Sequence, residues 1–374
     1  MKKSKTAVVI LLPILFTAGM MLVESCAVHP LAWKPEIKPP FTGSLALNEK
    51  LSAIKKISLN GWYGPEDIVF DKEGNLYCGV HSKEYDFSDG RILKIDSSGK
   101  VEIFLNTNSW VSGLHFDIKG NLIALSHKLG LISIDPDKKV TVLASKDDKG
   151  RPFLIPNGLD VASDGKIYFS NTSYESAYTV KYGRKLILEI RPNGGLYCYD
   201  PMTQKVETLI DGTYFGNGVV LSKDESYLLM TETEKYRILR YWLKGDKKGK
   251  TDVFMDNLPG FPNGISMRDN GSYWLGFSTK RNDALDNIHH KTGMKKFVYA
   301  LPQFLQPKQE LFGMILNLSQ DGKIINALFD STGKFVPEAG AVKEFNGQLY
   351  IGGDVVSFIG QYKLDASMMF YHLR

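Results

Sequence analysis

The chain has 374 residues, 43% hydrophobic and 23% charged, with a formal charge of +5, an ordinary composition for a folded globular protein. The positive excess is partly Lys2, Lys3 and Lys5 and otherwise scattered lysine, with no basic run interleaved with aromatics, so a nucleic-acid partner is not expected. Three cysteines, Cys26, Cys78 and Cys198, exclude a disulfide framework and a zinc-ligand spacing, while 35 Gly, 20 Phe and 18 Tyr suit many short strands joined by tight turns.

At the N-terminus the lysines precede an apolar run from Ala7 to Val23, a charged region followed by a hydrophobic one. An uncleaved signal anchor is the first reading. A lipoprotein is the second, because Val23-Glu24-Ser25-Cys26 approaches a lipidation box with Cys26 as the acceptor. Cleavage and secretion is the third. Each exports the rest of the chain and the first two leave it attached to a membrane. Residues 1–29 form this leader. Residues 30–52, with Pro30, Pro35, Pro39 and Pro40, are expected to form an extended tether.

From residue 53 to 374 one unit recurs: an apolar strand, a Gly-bearing polar turn, and further strands. Its first copy starts at Asp67–Asp71, the second at Leu114–Asp117, and the next three at Gly158, Gly218 and Gly264. The last starts at Val342–Phe345 and is one strand short. The stretch Lys55–Leu59 has outer-strand character and completes it, pairing the two ends of the chain. The expected architecture is therefore all-β, a six-bladed propeller closed by its N-terminal strand. Insertions at Ser173–Arg191 and Lys280–Gln309, the latter with a short helix near Asp283–His290, are candidates for covering the channel mouth or for solvated decoration. His289 and His290 are expected to face solvent.

The turns that open the inner strands carry the chemistry. Tyr63-Gly64-Pro65-Glu66, Ile155-Pro156-Asn157-Gly158, Phe215-Gly216-Asn217-Gly218 and Phe261-Pro262-Asn263-Gly264 each present an oxygen donor at the start of a strand. Glu66, Asn157, Asn217 and Asn263 would converge on one central ion. One carboxylate with three carboxamides is a hard oxygen set suited to calcium, and unsuited to soft metals. Its net positive surplus favours a carbonyl-bearing or anionic ligand. Asn-Gly is also a common turn signal in its own right. His115 and His127 are the candidate bases near the channel.

These turns, with Gly194-Gly-Leu-Tyr-Cys-Tyr-Asp-Pro201, Glu232-Thr-Glu-Lys-Tyr-Arg-Ile-Leu-Arg240 and Gly271-Ser-Tyr-Trp-Leu-Gly276, resemble the calcium-dependent six-bladed propellers: the gluconolactonase and senescence-marker-protein family, the paraoxonases and strictosidine synthase. The chain is most similar to the strictosidine-synthase-like branch that contains adipocyte plasma membrane-associated protein. The resemblance implies a calcium-dependent hydrolase of esters or lactones, taking a small-molecule substrate outside the cytoplasm. Alternatives are a non-catalytic exported propeller with structural calcium and, further off, a synthase-type lyase. In the hydrolytic relatives an Asp stands at the position of Asn263, and the synthase's glutamate falls at Gly340-Ala341.

Overall fold

The computed structural model describes residues 19–365 and Met368. Most of the apolar leader lies outside these residues. Among the described residues, no helix is long and apolar enough to cross a membrane.

Six four-stranded antiparallel sheets surround one axis. Their inner strands are Ile68–Phe70, Val111–Phe116, Pro156–Val161, Gly216–Leu221, Gly260–Met267 and Ala341–Phe345. The sixth blade takes its outermost strand, Lys55–Ser58, from the N-terminal side, antiparallel to Phe358–Lys363 with Ile57 opposite Ile359. Ring closure thus joins the two ends of the propeller and covers the last open sheet edge. The Asp-Gly-Asn hairpin turns follow one device. Asp71 and Asp117 each accept the backbone N–H of the Asn four residues on. Gly74 and Gly120 supply the left-handed conformation at φ 83° and 85°.

The core lies between the blades. Each of six apolar clusters joins two neighbouring blades. Phe70 of the first blade, for example, stacks on Phe345 of the last at 4.0 Å. Cys78 and Cys198 are buried free thiols, and burial pushes Cys198 up to about 12.

The Asn-Gly stretches are not turns. Each lies inside its inner strand, where the pairing register slips: between Pro156 and Leu159, Gly216 and Val219, and Pro262 and Ile265. These bulges re-aim the Asn side chains toward the axis. The glycines are required by the neighbouring blade. A Cβ on Gly158 would stand 2.7 Å from the Asn217 carbonyl oxygen, and one on Gly218 2.8 Å from that of Asn263.

The two insertions and the segment after the leader form a cap. The first contains helix α1 (Val180–Glu189), whose N-cap Thr179 accepts from the Tyr182 amide. The second contains α2 (Asp283–Ile288) and α3 (Thr292–Ala300). Only α2 was foreseen, because Gly183 and Gly293 interrupt the other two helical patterns. The segment after the leader is strapped down, with 3-10 turns at Gly43–Leu45 and Lys50–Ala53. The Leu31 amide donates to the Glu189 carbonyl, and the Lys295 ammonium to the Leu31 carbonyl. Trp33 packs on Tyr236 and His289, and Phe41 on Phe312 and Phe329. His289 is therefore buried, contrary to expectation, and burial holds its pKa down to about 3, while His290 is exposed.

Because the added methyl of Gly158→Ala meets a backbone carbonyl, this change should cost about 1–3 kcal/mol. The urea midpoint should fall accordingly; an unchanged midpoint would contradict the close approach of blades three and four.

Candidate metal centre and channel mouth

Glu66, Asn157, Asn217 and Asn263 line one central cavity of about 150 Å³ and all four are buried. Each Asn is turned the same way. Its Nδ2 donates to a hydroxyl at the end of its blade's second strand: Asn157 to Thr172 at 3.2 Å, Asn217 to Thr233 at 3.3 Å, Asn263 to Ser278 at 2.9 Å. Thr172 and Thr233 in turn donate to the Gly216 and Pro262 carbonyls of the next blade, both at 2.7 Å. With each amide nitrogen so occupied, the Oδ1 atoms are the free donors. Oδ1 of Asn263 and Oε2 of Glu66 are buried with no hydrogen-bond partner, an arrangement that costs free energy unless something fills it. The sequence carried a signal for this, a Thr or Ser 15 or 16 residues after each Asn, that repeat spacing alone did not expose.

The mouth holds two further carboxylates, which no repeated motif of the sequence marks. Asp354 lies beside Glu66, near enough for its charge to act on the Glu66 carboxyl. Glu338 is buried beside Gly353, where a Cβ would meet its carboxylate at 2.6 Å, and accepts from the Val355 amide at 2.9 Å. Burial first, then mutual repulsion, pushes Glu66 well up and Glu338 up to about 8; burial raises Asp354 to about 6. Three carboxyl groups held together without a cation are electrostatically strained.

The hydroxyl-tethered carboxamides and the orphaned acceptors fit a hard cation. Among the described residues no three His, Cys, Asp or Glu side chains are spaced to hold a metal by themselves, so neutral amide oxygens must supply most of the shell. Calcium accepts such donors; zinc and copper do not favour them.

The two candidate histidines stand in different places. His115 lines the same central cavity as the four donors, three residues beyond Ser112 on its strand and about 10 Å along it at the usual rise. Its Nε2 pairs with Asp160 at 3.1 Å and its Nδ1 meets the Phe116 carbonyl at 2.8 Å, so both nitrogens are engaged, away from the mouth. His127 is at the mouth. Its Nε2 is buried with no hydrogen-bond partner, and burial lowers its pKa to about 3, leaving it neutral.

Over the mouth lies an aromatic cover. Tyr178, from the first insertion, packs on Phe87, Trp110 and His127 at 4.9, 6.1 and 6.4 Å between centroids. Burial and the charges of Asp354, Glu66 and Glu338 push its phenol well up. Trp110 donates to the Gly64 carbonyl at 3.3 Å. Gly64 itself has φ 83° and touches the His81 ring, so the Gly64-Pro65-Glu66 turn admits no side chain there. The first insertion is thus a cover for the channel. The second reaches the same mouth through Gln309, whose side-chain amide donates to the Ser278 carbonyl at 2.9 Å.

Two profiles match this sequence, Strictosidine synthase over residues 157–246 and the N-terminal strictosidine synthase-like module over 43–95. Protein STRICTOSIDINE SYNTHASE-LIKE 10 of Arabidopsis thaliana is 32% identical over 354 residues, covering 87% of this chain and 91% of that one. The chain belongs to the strictosidine synthase-like family. Human adipocyte plasma membrane-associated protein, 30% identical over 385 residues, covers 96% of this strictosidine synthase-like chain and 89% of its own. Among solved structures, a gluconolactonase from Xanthomonas campestris superposes with a TM-score of 0.60 at 17% identity over 90% of this chain and 99% of the other. The calcium-binding protein regucalcin of Agrobacterium tumefaciens does so at 0.57 and 13%, over 83% and 94%. Both show the shared propeller fold.

In chelator, the raised carboxyl pKa of Glu338 stabilises the fold only while the group is protonated. Its contribution is full below about 4.5 and lost as pH rises through about 8. Denaturation of parent and Glu338→Gln should therefore diverge over that range, the variant becoming relatively more stable as pH rises. A gap that does not change with pH would contradict the buried cluster.

Proposed function

We propose that this strictosidine synthase-like protein is a calcium-dependent hydrolase of esters or lactones, acting outside the cytoplasm and attached to a membrane through its leader. The observation that carries the reading is the set of inward carboxamide oxygens around the unpartnered Glu66 Oε2 and Asn263 Oδ1. Glu66, Asn157, Asn217 and Asn263 would hold one calcium ion. Calcium bound there would supply Lewis-acid polarisation of a substrate carbonyl and charge stabilisation of the developing oxyanion. The chain's own residues do the rest. Thr172, Thr233 and Ser278 hold the amides in one orientation. Phe87, Trp110 and Tyr178 limit water at the mouth and offer an apolar wall to an aryl or alkyl group. Nε2 of His127 is an unprotonated acceptor there. The gluconolactonase and the calcium-binding regucalcin that share the fold are consistent with this chemistry.

One observation favours a second reading. Asn263 cannot take up a proton at neutral pH, and its amide is bonded to Ser278. If no other group at the mouth acts as base, the protein binds calcium and a small molecule or protein without turning anything over.

Thermal melts of the full chain in calcium and in chelator test the metal. Calcium at 100 times its dissociation constant adds about 2.7 kcal/mol, so the melt should rise, and Glu66→Gln should abolish the rise. An identical melt with and without calcium would sink the proposed centre. Hydrolysis of phenyl acetate and of γ-lactones then separates the readings. The hydrolase reading expects calcium-dependent turnover that falls about 100-fold or more in His127→Ala. A calcium-stabilised protein with no turnover supports the binding reading.

A further inference from the structure

The cap turns an apolar face outward. The leader helix over residues 19–26 is tied to α1 by Lys181 and Glu24 at 2.8 Å. Val28, Leu188 and Tyr299 pack together and fix the leader, α1 and α3 as one layer. On its outer side Leu22, Val23, Phe297, Phe304 and Leu305 are 51–83% exposed. They border a groove of about 410 Å³ lined by Met20, Val180, Lys181, Arg184 and Pro302. Scattered exposed apolar residues need no explanation, but large ones gathered on one layer, with basic residues among them, mark an interaction surface.

We infer that this face lies on the surface of the bilayer that receives the leader, with Phe297, Phe304 and Leu305 at the boundary between headgroups and acyl chains. Two observations select lipid over other occupants. The apolar run Ala7–Val23 ends on this face, with Leu22 and Val23 exposed beside the groove, so a leader held in a membrane brings the face to it. Arg184 lines the same groove with no salt bridge among the described residues, while Lys181 there is paired with Glu24. The free guanidinium suits an anionic headgroup, whereas an isologous dimer would set it against its own copy. The cap also covers the channel mouth, so docking in this way turns the mouth toward the membrane and would deliver substrates dissolved in lipid. The inference rests on membrane attachment by the leader and on neither calcium nor hydrolysis.

The test uses the full chain reconstituted in phosphatidylcholine–phosphatidylglycerol vesicles. A nitroxide is placed at Phe304→Cys or, as a control, at Lys119→Cys, each in a Cys26→Ser background. Lys119 is exposed in a hairpin at the opposite end of the channel. Oxygen dissolved in lipid should relax the label at 304 several-fold more than an aqueous nickel chelate does, and the label at 119 should show the reverse. Equal aqueous access at both sites would overturn the docked face while leaving the leader's attachment intact. Protection of 304 from both oxygen and nickel would overturn it in favour of a protein cover. Failure of the full chain to float with vesicles would overturn attachment and docking together.

Discussion

The tight approach of the inner strands to one another around the axis governs the rest of the structure. Glycines at 113, 158, 218 and 264 each face a backbone carbonyl of the next blade at distances that exclude any Cβ. Because the strands are that close, the residue before each glycine is driven into the channel. Ser112, Asn157, Asn217 and Asn263 follow from one another in this way, blade by blade. Hydroxyls of one blade reach carbonyls of the next, as Thr172 does to Gly216 and Thr233 to Pro262, both at 2.7 Å. These bonds serve the ring and the candidate site at once, since the same hydroxyls orient the carboxamides.

A layer so built is polar, buried and incomplete. Amide oxygens and a carboxylate point at one another with too few donors among them, and Asp354 and Glu338 add negative charge at the mouth. Protein interiors avoid this unless a ligand resolves it. The aromatic cover intensifies the effect, because excluding water strengthens every charge beneath it. Stability of the metal-free state has thus been given up at the place where a cation and a polar substrate would recover it, a pattern common at functional sites.

The propeller was legible because its strands, hairpin turns and closing strand are local patterns repeated six times. The four donors were legible because repetition put Glu66 and the three Asn residues in equivalent places. What sequence reasoning took for turns were bulges. Asn-Gly carries the same composition in both, and only the neighbouring blade distinguishes a glycine needed for conformation from one needed for space. Asp354 and Glu338 carry no signal of this kind because the last blade lacks the donor motif; they come to the mouth from a loop of that blade and from the connection that leads into it. The burial of His289 came from Trp33, some 256 residues away in sequence, a contact that no local pattern encodes.

The central claim is that the carboxamide layer binds one hard cation beneath the aromatic cover. Terbium is a calcium-sized probe whose emission is excited by a nearby indole, and Trp110 stands over the mouth. The account predicts terbium luminescence that saturates at one ion per chain, is displaced by calcium, and is lost in both Asn157→Leu and Trp110→Leu, with calcium binding retained in the latter. Absence of sensitised emission from the parent protein, or emission indifferent to Asn157, would contradict it.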